Sequence, residues 1–169
     1  LTAVGNTLYF RASDGTNGPE LWKSDGTASG TVMVKDILSG SSGSSTSYLT
    51  AVGNTLYFRA SDGTNGLELW KSDGTASGTV MVTDIYSGVV GSVPQYLTVI
   101  GNTLYFQASD GTHGYELWAV SGGSGSGSGS GGGTTNVTGA TCSISPALPT
   151  GLSIDSSTCT ISGTPTVSY

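Results

Sequence analysis

The sequence predicts an all-β protein built from repeated four-stranded sheets. The stretch ELWKSDGTASGTVMV occurs at residues 20–34 and again, unchanged, at 68–82. The pattern LT-x-x-GNTLYF opens at Leu1, Leu49 and Leu97, which gives a period of 48 residues. Charged residues make up only 9% of the chain and 28 of its 169 residues are Gly, a composition that favours short strands joined by many turns.

Each repeat is predicted to contain four strands. In TLYFRAS (7–13) the side chains alternate, so Leu8 and Phe10 are expected on one face and Tyr9 on the other. Asp-Gly pairs between the runs predict tight turns, and the β-branched residues of TVMVKDI predict the last strand. The strands predicted for the first repeat span residues 1–4, 7–13, 20–24 and 31–37.

Four strands in a period of about 40–50 residues are typical of a β-propeller blade, which packs between two neighbours. We therefore predict two and a half blades, at residues 1–48, 49–96 and 97–120. The large residues Tyr9, Phe10 and Trp22 are interpreted as packing between blades, with an exposed platform for stacking on a sugar as the alternative. An open β-solenoid or a stack of hairpins is the alternative architecture.

The repeated octapeptide also suggests a family. ELWKSDGT at 20–27 and 68–75 resembles the ELWxxDGT repeats, and the third copy keeps ELW at 116–118. The resemblance covers residues 1–118. It implies propeller-like blades of large secreted or surface proteins of bacteria and archaea, for which adhesion is the suggested role.

The rest of the chain changes character. Residues 121–133 contain only Ser and Gly and are predicted to form a flexible linker. In residues 134–169 the pieces SPALPTGL and ISGTPT resemble immunoglobulin-like repeats of prokaryotic surface proteins, which implies a partial β-sandwich. Strands are expected at 141–145 and 158–163, with a turn-rich segment between them.

The two cysteines, Cys142 and Cys159, lie in those two predicted strands. A disulfide between them is the favoured interpretation and would require an oxidising compartment. Two free thiols are the alternative, and a zinc site lacks the necessary number of ligands. Asn136 begins an Asn-Val-Thr sequon, a candidate glycosylation site.

Repeated turns carry the candidate binding residues, which are Asp14, Asp25, Asp62, Asp73 and Asp110. Asp in such turns ordinarily accepts hydrogen bonds from nearby backbone amides, and calcium binding by turn oxygens is the alternative. His113, the only histidine, replaces Asn17 and Asn65 and is interpreted as a surface variant. No nucleophile, dinucleotide or phosphate-loop motif is found, so we expect neither an enzyme nor a cofactor, unless calcium binds.

Charge and hydropathy argue against nucleic-acid binding and against a membrane span. The net charge is −6 and the five Lys and Arg residues form no cluster, which argues against nucleic-acid binding. No apolar run approaches the length of a membrane span. The chain begins and ends inside a repeat pattern, so we expect a fragment of a longer polypeptide.

We therefore expect a non-catalytic structural or adhesive segment of a large secreted or cell-surface protein. The alternative is a carbohydrate- or calcium-binding module. Surface glycans and other cell-surface proteins are the expected partners, and self-association through exposed blade faces is a further expectation.

Overall fold

A computed structural model describes residues 1–121 and the backbone of three short strands at 138–139, 152–154 and 161–163. All regular secondary structure in this part of the chain is β-strand, which confirms the all-β prediction. The same residues contain no helix with the length and apolar character needed to cross a bilayer.

Each repeat forms one antiparallel sheet in which neighbours along the chain are also neighbours in space. Unit 1 contains β1–β4, at Thr2–Val4, Thr7–Ala12, Glu20–Ser24 and Val32–Lys35. Unit 2 contains β5–β8, at Ser47–Val52, Thr55–Ser61, Leu67–Ser72 and Val80–Met81. Unit 3 begins with β9–β11, at Gln95–Ile100, Thr103–Ser109 and Tyr115–Ser121. The predicted strands are confirmed, although the fourth strand is shorter than predicted.

Unit 3 takes its fourth strand from beyond the Ser/Gly linker. The short strand β12, Thr138–Gly139, pairs antiparallel with β11, and Gly139 lies opposite Trp118. Met33 lies opposite Trp22 and Met81 opposite Trp70 in the complete units. The returning chain therefore pairs in the register that the missing part of the third copy would have used.

A separate hairpin lies in the C-terminal part of the chain, where β13 (Leu152–Ile154) pairs with β14 (Ile161–Gly163). The strand predicted at 158–163 is confirmed in its second half. The prediction of a turn-rich segment was wrong for Leu152–Ile154, because the alternating Leu-Ser-Ile sequence has the two-residue period of a strand. The strand predicted at 141–145 falls outside the described residues.

The three sheets pack face to face through two apolar clusters. The first interface cluster joins units 1 and 2 and contains Tyr9, Leu21, Val34, Ile37, Leu56, Phe58, Ala60 and Trp70. The second interface cluster joins units 2 and 3 and contains Val52, Tyr57, Leu69, Leu104, Phe106, Ala108 and Val120. Unit 2 contributes to both clusters, so both faces of its sheet are buried, as the sequence predicted.

The strand alternation decides which side chain enters which cluster. Tyr57 packs toward unit 3 while its neighbour Phe58 packs toward unit 1. Leu69 and Trp70 divide in the same way on the next strand. Tyr57, Phe58 and Trp70 of unit 2 are therefore packing residues and do not form an exposed platform.

Polar contacts from unit 1 reinforce the first interface. The Lys23 ammonium donates to the carbonyl of Gly74 at 2.7 Å, and the Lys35 ammonium donates to the carbonyl of Thr79 at 2.8 Å. Lys35 also lies 5.9 Å from the centre of the Trp70 ring, within the range of a cation–π interaction. These lysines attach unit 1 to the DGTASG loop of unit 2 and to Thr79, the residue that follows it.

A pair of glycines in each of units 1 and 2 allows the segment between units to cross its own sheet. In unit 2 the backbone at Gly91 passes directly against Gly66, where an added Cβ would lie 2.4 Å from the Gly91 nitrogen. Gly43 passes Gly18 in the same way in unit 1. A side chain at either member of a pair would push the crossing backbones apart.

We predict that Gly66→Ala lowers the free energy of unfolding by about 2–4 kcal/mol, because the methyl group clashes with backbone and the position has positive φ. Gly5→Ala is the matched control, since Gly5 has φ +56° but nothing within 4 Å of an added Cβ. It should cost about 1 kcal/mol. Urea denaturation of both variants measures the difference, and equal losses would contradict a steric crossing.

Candidate functional site

In the first Asp-Gly turn of each unit, the aspartate carboxylate accepts hydrogen bonds from other residues of the same turn. Asp14 Oδ1 accepts the backbone N–H groups of Thr16 and Asn17 at 2.8 and 2.7 Å, and Oδ2 accepts the Asn17 side-chain amide at 2.9 Å. Asp62 repeats the three bonds at 2.8, 2.9 and 2.8 Å. Both oxygens of these candidate residues therefore accept bonds within the turn.

The second Asp-Gly turn is held differently. Asp25 Oδ1 accepts both the backbone N–H and the hydroxyl of Thr27, at 2.9 and 2.7 Å, and Asp73 does the same with Thr75. The carboxylate lies against Gly30, where an added Cβ would be 2.0 Å from Oδ1. The second Gly of DGTASG is thus required, because the Asp side chain occupies the space that a Cβ would need.

These bonds lower the pKa of the turn aspartates. The backbone amide of Asn17 is the largest cause at Asp14, and the hydroxyl of Thr27 is the largest cause at Asp25. A lowered pKa means that the folded state binds the proton less tightly than the unfolded state does. The stabilisation is therefore present above the unfolded pKa and is lost as pH falls through the folded pKa.

In unit 3 the same turn contains the single histidine. His113 Nδ1 lies 2.8 Å from Asp110 Oδ2, in the place of the asparagine amide of the other units. The bond to Asp110 raises the pKa of His113, while the bond to His113 lowers the pKa of Asp110. His113 therefore completes a turn, as expected of a surface variant. Its side chain is 70% exposed.

A buried glutamate is the polar centre that sequence reasoning missed. Glu68 is fully buried, and its Oε1 accepts the backbone N–H groups of Tyr86 and Ser92 at 3.2 and 2.7 Å. Its Oε2 accepts the Ile85 N–H at 3.3 Å and the Ser92 hydroxyl at 2.5 Å. These hydrogen bonds connect β7 to the segment that leads into unit 3. The available signal was an acidic residue beside Leu and Trp in every copy of ELW.

Glu20 has the same position in unit 1 but fewer bonds. Its Oε1 accepts the Leu38 N–H at 3.1 Å, and its buried Oε2 has no partner among the described residues. Ser44, the equivalent of Ser92, instead pairs with the hydroxyl of Thr46 at 2.7 Å. Pro94 replaces Thr46 in unit 2 and has no hydroxyl to compete for the serine.

Two tyrosines are held in a strained backbone conformation at equivalent bulges. Tyr48 and Tyr96 each have φ +55° and lie where the first strand of units 2 and 3 shifts register. Both side chains are exposed, and the Arg59 guanidinium lies 4.7 Å from the centre of the Tyr48 ring. No feature of the sequence pattern predicts these bulges.

Several candidate sites remain predictions. Cys142, Cys159 and Asn136 fall outside the described residues. In the part that the structure describes, no three His, Cys, Asp or Glu side chains are placed to share a metal ion. A pocket of about 350 Å³ lies in unit 1 beside Lys23 and Asp25, but its Lys23 ammonium is already bonded to unit 2.

We predict that Glu68→Gln lowers the free energy of unfolding by about 2–3 kcal/mol, because the amide nitrogen of glutamine cannot accept the hydrogen bonds that one carboxylate oxygen of Glu68 receives. Glu116→Gln is the matched control, since Glu116 has the same position in unit 3 and is exposed. It should change stability by no more than about 0.5 kcal/mol. Chemical denaturation measures both, and similar losses would argue against a role for the buried carboxylate network.

The difference between wild type and Glu68→Gln should also depend on pH. Burial raises the pKa of Glu68 above its ordinary value despite the opposing hydrogen bonds. The folded state then binds the proton more tightly, so the contribution of Glu68 is greatest below the unfolded pKa and falls as pH rises through the folded pKa. Stability measured for both proteins across this window tests the sign.

A further prediction concerns His113. Its pKa, measured by NMR titration of the single imidazole, should lie above the ordinary 6.5. Asp110→Asn should bring it down, because the hydrogen bond to the charged carboxylate is its largest cause. Asp62→Asn is the control and should leave it unchanged. An unaltered pKa in Asp110→Asn would show that the turn does not hold the ring.

Comparison with known proteins bears on the C-terminal part. The family described as "Putative Ig domain" matches residues 119–169, which supports the immunoglobulin-like interpretation of this part. No curated protein and no solved structure matches the chain. The resemblance of residues 1–118 to the ELWxxDGT repeats stays a prediction.

Proposed function

We propose that the chain is a non-catalytic structural or adhesive segment of a large secreted or cell-surface repeat protein. The observation that carries this proposal is the use of the large side chains. In unit 2, Tyr57, Phe58, Leu69 and Trp70 are all buried between sheets. A repeat that uses these large side chains for packing between sheets forms a rigid body.

The units are proposed to be propeller-like blades of the ELWxxDGT type. Each is a four-stranded meander, as propeller blades are. The first strands of successive units, β1, β5 and β9, lie near one another, and the Thr2 hydroxyl donates to the Leu49 carbonyl at 2.8 Å. Convergence of first strands supports a radial arrangement over an open stack of hairpins.

An extracellular location fits the surface chemistry. The turns are closed by Asp, Ser and Thr, and charged residues are only 9% of the sequence. The immunoglobulin-like match at residues 119–169 supports a structural module beside the repeats. Two cysteines in this module fit a disulfide and an oxidising environment.

The carbohydrate- or calcium-binding alternative stays a prediction, and the turn geometry gives it little support. Asp14 and Asp62 use both carboxylate oxygens within their own turns. A calcium ion takes six to eight oxygen ligands, so its binding would have to displace these bonds. Packing and turn closure account for the repeated residues without a ligand.

A structural segment should resist extension, and we predict that a Cys142–Cys159 disulfide limits the extended length of this chain. When the chain is unfolded by force applied at its two ends, the oxidised protein should extend less than the reduced protein. The difference should be about 55–60 Å, from the reach of the enclosed residues. Single-molecule force measurements with and without reductant give this length.

The Cys142→Ser/Cys159→Ser double variant is the control. It should show the longer extension in both conditions. An oxidised wild-type protein that extends as far as the double variant would refute the disulfide and remove its support for an exported structural segment.

A further inference from the structure

The chain contains the same sheet-to-sheet contact twice. We call the face that carries Phe10, Phe58 or Phe106 the leading face, and the face that carries Leu21, Leu69 or Leu117 the trailing face. The trailing face of unit 1 packs on the leading face of unit 2 through the first interface cluster. The trailing face of unit 2 packs on the leading face of unit 3 through the second.

One leading face is left uncovered in the described part of the chain. Leu8 of unit 1 is 40% exposed, whereas its equivalents Leu56 and Leu104 are completely buried. Phe10 beside it is only partly buried, whereas Phe58 and Phe106 are almost inaccessible. The exposed residues are the ones that a neighbouring sheet covers in the next two units.

Within the residues that the structure describes, one trailing face is left uncovered as well. Leu117 of unit 3 is 54% exposed, whereas its equivalents Leu21 and Leu69 are completely buried. Tyr115 on the same face is 50% exposed. Exposed apolar surface of this kind marks an interaction site on a soluble domain.

We propose that the trailing face of unit 3 binds the leading face of unit 1 in a second copy of this chain. The structure indicates this partner, because the equivalent leading faces of units 2 and 3 are both covered by a trailing face. Two unlike faces then meet head to tail, and neither face binds a copy of itself. The contact repeats the sheet-to-sheet packing that joins the three units.

The residues present fit this contact with one difference. Tyr105 and Leu117 keep the apolar pair that Tyr57 and Leu69 bury in the second interface cluster. Ala119 stands where units 1 and 2 have Lys23 and Lys71. The contact between copies therefore rests on apolar packing, without an ammonium-to-carbonyl bond like that of Lys23.

Leu8→Arg and Leu117→Arg test the proposal by disabling one face each. Light scattering after size exclusion should give wild type a mass of at least twice the 16.9 kDa of one chain. Each variant alone should be monomeric, because each has lost one half of the contact. An equimolar mixture should form a dimer, since the intact trailing face of Leu8→Arg meets the intact leading face of Leu117→Arg.

Recovery of the dimer in the mixture also shows that both variants are folded. Val89→Arg is the matched control, because Val89 is 77% exposed in a loop, and it should keep the wild-type mass. Three results would each overturn the proposal: a monomeric wild type, a single variant that still dimerises alone, or a mixture that stays monomeric.

Discussion

Burial of both faces of each sheet is the constraint on which this architecture depends. A four-stranded sheet of this sequence has apolar side chains on successive residues, such as Tyr57 and Phe58, which point to opposite faces. Burying one such side chain contributes about 1.5–3 kcal/mol, and a sheet standing alone would leave both faces in water. Stability therefore arises between units, and repetition supplies each face with a neighbour of the right shape.

The segments between units set how the sheets are placed. The connecting backbone crosses the sheet at paired glycines, Gly66 and Gly91, where no side chain fits. The Glu68 carboxylate then binds the same segment at Ile85, Tyr86 and Ser92. The close contact at the glycines and the hydrogen bonds to Glu68 thus both hold the connecting segment in place. This combination keeps the next sheet at a fixed distance, so its leading face meets the trailing face before it.

Much of the fold could be predicted because it is local. Alternation of apolar residues predicted the strands and their two faces, and Asp-Gly pairs predicted the turns. The functions of Glu68 and of the bulged tyrosines could not be predicted, because they depend on contacts between residues about 20 positions apart or on a shift in strand register. The fourth strand of unit 3 was missed for the same reason, since pairing by Thr138–Gly139 follows a linker without any pattern of its own.

Unit 3 shows which residues each face needs. The side chains that meet unit 2, among them Leu104, Phe106 and Ala108, are those of the earlier copies. On its other face, Gln107 replaces arginine and Ala119 replaces lysine, while Leu117 remains. The apolar residues are thus kept on both faces, while these two charged residues are replaced. Apolar burial is therefore the common requirement of every contact, and the lysine bonds of the first interface are an addition to it.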